Sequence, residues 1–247
     1  VLRLEVFSHA LIGLRRQIVR WALAAGGYTL LMLAAYPALP RLLGWTELAQ
    51  NPAAWLNAAG FALAYPLLLG SFAVWAGSRL LGAEERDGTL ALLLAYPLPR
   101  WRLLLEKFGA LLAGVLAPAA LVYAVLLLGN FALGLNIAPA YLLRAALDQA
   151  LLALVFGGLA FLLAALNGNP RRSQNLAGLV ALGAYLLNAE WLHHISYIKY
   201  LSPFYYAAGI GPQPGYPPAL GGWVLIILAV LLLLLALRGF ERRDLVL

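Results

Sequence analysis

The chain has 247 residues, of which 64% are hydrophobic and 11% charged, with a mean hydropathy of +0.85. That much apolar surface exceeds what a soluble domain of this length buries; it predicts one bilayer-embedded helical domain of roughly six spans at about 20 residues each. The net charge of +7 is no nucleic-acid footprint, because the basic residues sit between apolar runs, and zero cysteines exclude disulfides, thiolate metal sites and a cysteine nucleophile.

Residues 1–20 read as an amphipathic helix lying on the membrane surface. Leu4, Phe7, Leu11, Leu14 and Ile18 share one face, with Glu5, His9, Arg16 and Arg20 opposite. The arginines followed by WALAAGGYTLLMLAAYPAL imitate a secretory signal, but no small-residue cleavage pattern follows and further spans come later.

Six spans are predicted, at 21–39, 55–81, 108–128, 142–166, 176–189 and 219–237. Pro66 and Pro118 fall inside spans, where proline is tolerated and kinks a helix. GNFALGLNIAP punctuates an uncharged run too long for one crossing. The fifth span reaches only about 21 Å, short of a hydrocarbon core of about 30 Å. The aromatic, Pro- and Gly-rich residues 191–218 are therefore expected to form an interfacial or re-entrant hairpin at the outer surface, a plain external loop being the alternative. Six spans put both termini on one side. That side gathers fourteen Lys and Arg against three (Arg41, Arg144, Lys199), which assigns it to the cytoplasm.

Few constellations point to chemistry. No phosphate-cradling GxxxxGK[ST], HExxH or GxSxG occurs, and no cluster of intramembrane carboxylates. His193 and His194, beside Glu190, diverge by about 100° on a helix and read as interfacial polar residues, not metal ligands. Arg144 and Asp148, four apart, are expected to pair with each other. Tyr28, Tyr65, Phe72 and Trp75 are candidate cavity-lining side chains on the first two spans. A membrane-embedded lipid-modifying enzyme or an ion-coupled carrier would need clustered carboxylates or histidines, or internal repeats around a midplane site. The sequence carries neither signature.

The most informative stretch is GAEERDGTLALLLAYPLPRWRLLLEK, residues 82–107, holding eight of the chain's 27 Lys, Arg, Asp and Glu residues. Asp87 or Thr89 caps a helix start, Gly88 permits the turn into it, and Pro97 ends it. The short helix predicted at 88–96, rich in leucine, needs an apolar partner. A groove in another protein and the chain's own bundle both satisfy that need.

This stretch resembles the permease subunits of ABC exporters of the ABC type-2 class, through G-x-E-x-x-x-G-T-L-x-x-L-L-x-x-P-x-x-R and a following Lys. Gly82, Glu84, Gly88, Thr89, Leu90, Leu93, Leu94, Pro97, Arg100 and Lys107 match. YLSPFYYA before the last span and FERRDL at the C-terminal end extend the resemblance along the chain.

The resemblance implies a non-catalytic permease, with residues 191–218 as its outer re-entrant gate and Pro203, Phe204 and Tyr205 as candidate gate residues. Residues 88–96 would be the coupling helix docking on a separate ATPase, with Glu84, Glu85, Arg86 and Asp87 as polar contacts and the N-terminal helix as a second contact. ATP and Mg would be bound by the partner. The working unit would hold two ATPases and two permeases, this chain pairing with itself or a related permease. Its setting would be the lipid of a prokaryotic cytoplasmic membrane, and its action export by alternating access.

Overall fold

The computed structural model describes residues 5–86, 99–188, 198–207, 209–210 and 221–242, and among these residues there is no strand. Helix α1 covers Glu5–Ala35, and the short helices α2 (Leu39–Leu42), α3 (Thr46–Gln50) and α4 (Pro52–Leu56) carry the chain to a π-turn at Asn57–Phe61. Then follow α5 (Ala64–Arg86), α6 (Arg100–Ala132), α7 (Pro139–Asn167), α8 (Pro170–Leu187), a 3₁₀ turn at Ile198–Leu201, α9 (Pro203–Tyr206) and α10 (Gly221–Glu241).

Among the described residues, five segments are long and apolar enough to cross a membrane: α1, Pro52–Gly82, α6, α7 and α10. The predicted fifth span is the exception. Helix α8 starts at Pro170, six residues before the expected boundary, because Asn169 accepts the Arg172 N–H at 3.1 Å as a cap and Pro170 fits the first helical position. Its opening PRRSQN is polar, so only its second half resembles a span.

Contacts fix the helix directions. Phe7 lies against Gly109, Ile18 against Gly114, and Leu33 against Gly129, so α1 and α6 run parallel along their length. Helix α7 takes the opposite direction, with α5 and α10 parallel to it: Phe61, Gly77 and Gly82 meet Gln149, Gly157 and Pro170 in turn, while Gly222 meets Asp148 and Gly239 meets Leu166. Helix α8 turns back after α7 through Gly168, which adopts a left-handed φ of 64°. The chain therefore alternates direction, and the starts of α1, α6 and α8 share one end of the bundle with the ends of α5, α7 and α10. That basic end carries Arg79, Arg100, Arg102, Arg171, Arg172, Arg238 and Arg242, while Arg15, Arg16 and Arg20 stand further along α1.

Helix α7 is the centre. A Cβ on Gly77 would overlap the Gly157 carbonyl, and one on Gly157 would come within 2.9 Å of the Ala73 oxygen, so the α5–α7 seam tolerates no larger residue. Close backbone approach of this kind replaces the missing hydrophobic drive between helices in lipid.

Two helices differ in extent from the expected bounds. Helix α1 runs without a break across Arg20 and Trp21. Of the predicted apolar stripe, Leu14 is buried, Phe7 lies against Gly109 and Ile18 against Gly114 of α6. Helix α5 continues to Arg86, five residues past the predicted span end at Leu81.

The two span prolines differ. Pro118 sits buried inside an uninterrupted α6. Pro66 follows the π-turn, where Ala62 N–H bonds back to Asn57 O at 2.9 Å, and the helix is broken at Ala62–Leu63. Without an N–H, Pro66 cannot continue the i→i−4 ladder.

Candidate coupling and gating regions

Much of the predicted coupling segment lies outside the described residues: Asp87, Gly88, Thr89, Leu90, Leu93, Leu94 and Pro97, with the whole of 88–96. What is described is its frame. Glu84, Glu85 and Arg86 belong to the last turns of α5, and Arg100 opens α6 after Pro99. These two helix ends lie at the basic end of the bundle.

Three side chains on the first turns of α6 brace that frame. Glu106 uses both carboxylate oxygens: Oε1 accepts from Arg102 Nε at 2.9 Å, and Oε2 accepts from the backbone N–H of Phe7 at 3.1 Å. Phe7 lies in the first turn of α1, where backbone donors lack intrahelical partners and an anion suits the helix dipole. Lys107 is wholly buried and its Nζ donates to the Leu80 carbonyl of α5. Adjacent residues on a helix diverge by about 100°, so Glu106 and Lys107 reach different neighbours.

The Asn167–Asn175 turn closes against the same end. Asn167 Oδ1 accepts from Asn169 N–H at 2.9 Å and from Ser173 Oγ at 3.0 Å, and Pro170 lies where a Cβ on Gly82 would stand.

At the opposite end, the break before Pro66 frees carbonyls that neighbouring helices satisfy. Tyr28 Oη donates to Ala59 O, and Gln149 Nε2 lies 3.5 Å from Phe61 O. Trp55 Nε1 donates to Met32 O at 3.0 Å. In hydrocarbon such donors must come from protein. Asn57 brackets Ile210, donating to its carbonyl at 3.0 Å and accepting its N–H at 2.7 Å. Asn130 treats Ile137 the same way, at 2.9 and 3.0 Å, closing the predicted α6–α7 turn through left-handed Gly134 and Asn136.

Of the predicted outer segment 191–218, residues 198–207 and 209–210 are described; Glu190, His193 and His194 are not. Pro203 opens α9, capped by Ser202, whose buried Oγ donates to Ala184 O at 2.7 Å. Phe204 packs on Phe156 and Tyr185 with ring centroids 5.3 and 5.4 Å apart, and Tyr205 sits between Tyr200 and Tyr206. Phe156 is eleven residues before the end of α7, about 16 Å along its axis. Phe204 thus reaches deep into the bundle from the end opposite the termini.

The four candidate cavity residues separate. Tyr65 and Phe72 are wholly buried; Tyr65 Oη shares a hydrogen bond with Thr29 Oγ1 at 3.0 Å, and Phe72 lies between Trp21 and Trp75. They are enclosed by their own bundle and line no surface of it. Tyr28 and Trp75 are half-buried, and the Arg79 guanidinium stands 5.2 Å from the Trp75 ring. Arg144 Nε lies 3.7 Å from Asp148 Oδ2, the expected partner.

Glu106, Asn57 and Gln149 escaped the sequence reading. Their available signal was polarity within or beside an apolar run, which in a membrane protein marks a residue with a specific partner.

These features define a multi-pass, all-helical membrane protein. Compared with known families, the chain matches the ABC-2 family transporter proteins over residues 15–245, nearly its whole length, and it belongs to that family. It is therefore an ABC transporter permease, a transport subunit of the membrane that works with an ABC ATPase. No curated protein matches it significantly.

Proposed function

We propose that this chain is the permease of an ATP-driven exporter, coupled through residues 82–107 to two copies of a separate ATPase that bind ATP and Mg, and paired with a second permease. The observation that carries this is the common end: the start of α1, the Arg86 and Arg100 helix ends and the end of α10 share one end of the bundle, with Arg79, Arg102, Arg171, Arg172, Arg238 and Arg242 on or near it. Basic loops stay in the cytoplasm, where an ATPase can dock. Six crossings follow if α8 is completed by the inserted 198–210 segment, with both termini cytoplasmic in a prokaryotic cell membrane.

ATP binding draws the ATPases together, the 88–96 helices follow, and the cavity between permeases opens outward past Pro203, Phe204 and Tyr205. ATP shifts this equilibrium only through its differential affinity for the two states. Tyr28 and Trp75 are the candidate cavity residues that reach the subunit surface, favouring hydrophobic or amphipathic cargo.

The test is to purify the chain with its ATPase and measure ATP hydrolysis in lipid, wild type against Leu93→Asp combined with Glu84→Ala. Loss of the complex or of permease-dependent turnover is expected. An intact complex with wild-type turnover would sink the proposal.

A further inference from the structure

We infer that Glu106 and Lys107 are positioning residues that lock α1 and α5 onto α6 at the base of the 87–98 segment, so that the three helix ends move as one body. The inference rests on the proposal that this end faces an ATPase. Its geometry stands apart from that proposal.

Three observations carry it. The Glu106 carboxylate is one-tenth exposed and fully engaged, one oxygen on Arg102 and the other on the Phe7 N–H of a helix 99 positions away. A charge-assisted bond to the open N-terminus of a helix is among the stronger single contacts available. Lys107, fully buried, places its ammonium on a carbonyl of α5 only six residues before Arg86. Burying a lysine costs heavily unless its donors are met, so the bond to Leu80 O favours keeping α5 and α6 in register. Finally, α1 is continuous to Ala35, and α6 to Ala132. A displacement at the clamp therefore reaches the opposite end along two parallel rods instead of dissipating in a loop.

Without the clamp, a push on the 87–98 segment would move α5 and α6 independently and leave α1 behind. With it, α1 follows α5 and α6.

The chain has no cysteine, so spin labels can be placed at will. One pair, His9→Cys with Trp101→Cys, reports on α1 against α6; a second, Arg79→Cys with Trp101→Cys, reports on α5 against α6. All three sites are exposed. In lipid nanodiscs, a single narrow distance is expected for both pairs. Glu106→Ala should abolish the narrow peak of the first pair only, Lys107→Met that of the second only, and Glu106→Gln, which still offers an acceptor to Phe7, should restore the first. Unchanged distributions in Glu106→Ala and Lys107→Met would overturn the inference.

If either variant fails to insert, Glu106→Gln against Glu106→Asp, whose shorter arm withdraws the acceptor, makes the same comparison. In the complex with the ATPase, ATP and vanadate should shift a label at His9 relative to one at Leu166→Cys. The shift should be lost in Glu106→Ala while the ATPase still co-purifies; a retained shift counts against the clamp. Failure to capture any ATPase would strike the functional proposal alone, since the nanodisc distances judge the clamp without it.

Discussion

The two ends of the bundle are held together by different chemistry. At the basic end, long uninterrupted helices are joined by ionised groups, Arg102–Glu106 on the Phe7 N–H and Lys107 on Leu80 O. At the opposite end, a broken helix, a π-turn and short helices are joined by neutral amides and hydroxyls: Asn57 on Ile210, Asn130 on Ile137, Tyr28 on Ala59. Bonds to charged groups contribute about 1.5–3 kcal/mol each, against about 1 for neutral pairs. The basic end is thus suited to transmit force and the opposite end to yield.

The contrast depends on a frame common to both ends, the α5–α7 seam. Gly77→Val should drive a side chain into the Gly157 carbonyl and destabilise the whole chain by about 3 kcal/mol or more, read as a large fall in melting temperature in detergent. An unchanged melt would mean that the ends are held independently.

A smaller, local effect is expected from Asn57→Ala, which strips both backbone groups of buried Ile210 of their partner at a cost of about 1–3 kcal/mol. Amide exchange should quicken at Ile210 and not at Phe7. Equal changes at both would erase the distinction between the ends.

Pro66→Ala supplies the missing N–H and should gain about 1 kcal/mol by extending α5 upward, at the expense of the bonds from Tyr28 and Gln149. Slower exchange at Ala62 and Leu63 is the expected readout; no change there would mean that packing, not proline, breaks the helix.

The smallest effect belongs to Arg144→Ala. Its guanidinium side chain is 42% exposed and 3.7 Å from Asp148, so solvent screening should hold the loss below about 1 kcal/mol. A double-mutant cycle with Asp148→Asn would measure it, and a coupling well above that figure would make this pair a structural lock of the opposite end.

The class of protein, the approximate position of the apolar runs, the basic asymmetry and the stretch from Gly82 to Lys107 that carries the family resemblance were all legible in the amino-acid order. Those features are local, written in hydropathy, loop charge and a contiguous motif, so no knowledge of packing is needed to see them. Capping at Asn169 and the left-handed Gly168 were likewise written in a few neighbouring residues.

Tertiary structure alone decided what depends on distant partners. Arg20 and Trp21 looked like a boundary because polarity changes there, yet α6 offers α1 one continuous packing surface and the helix does not stop. Tyr65 and Tyr28 are indistinguishable as sequence, but Thr29 and the core enclose the first and leave the second half-open. Glu106 meets Phe7 across 99 positions, and Asn57 meets Ile210 across 153. A side chain's partner at such separation is chosen by how the helices pack, and that choice turned GAEERDGTLALLLAYPLPRWRLLLEK from a charged interruption into a segment whose α6 base is tied to two other helices.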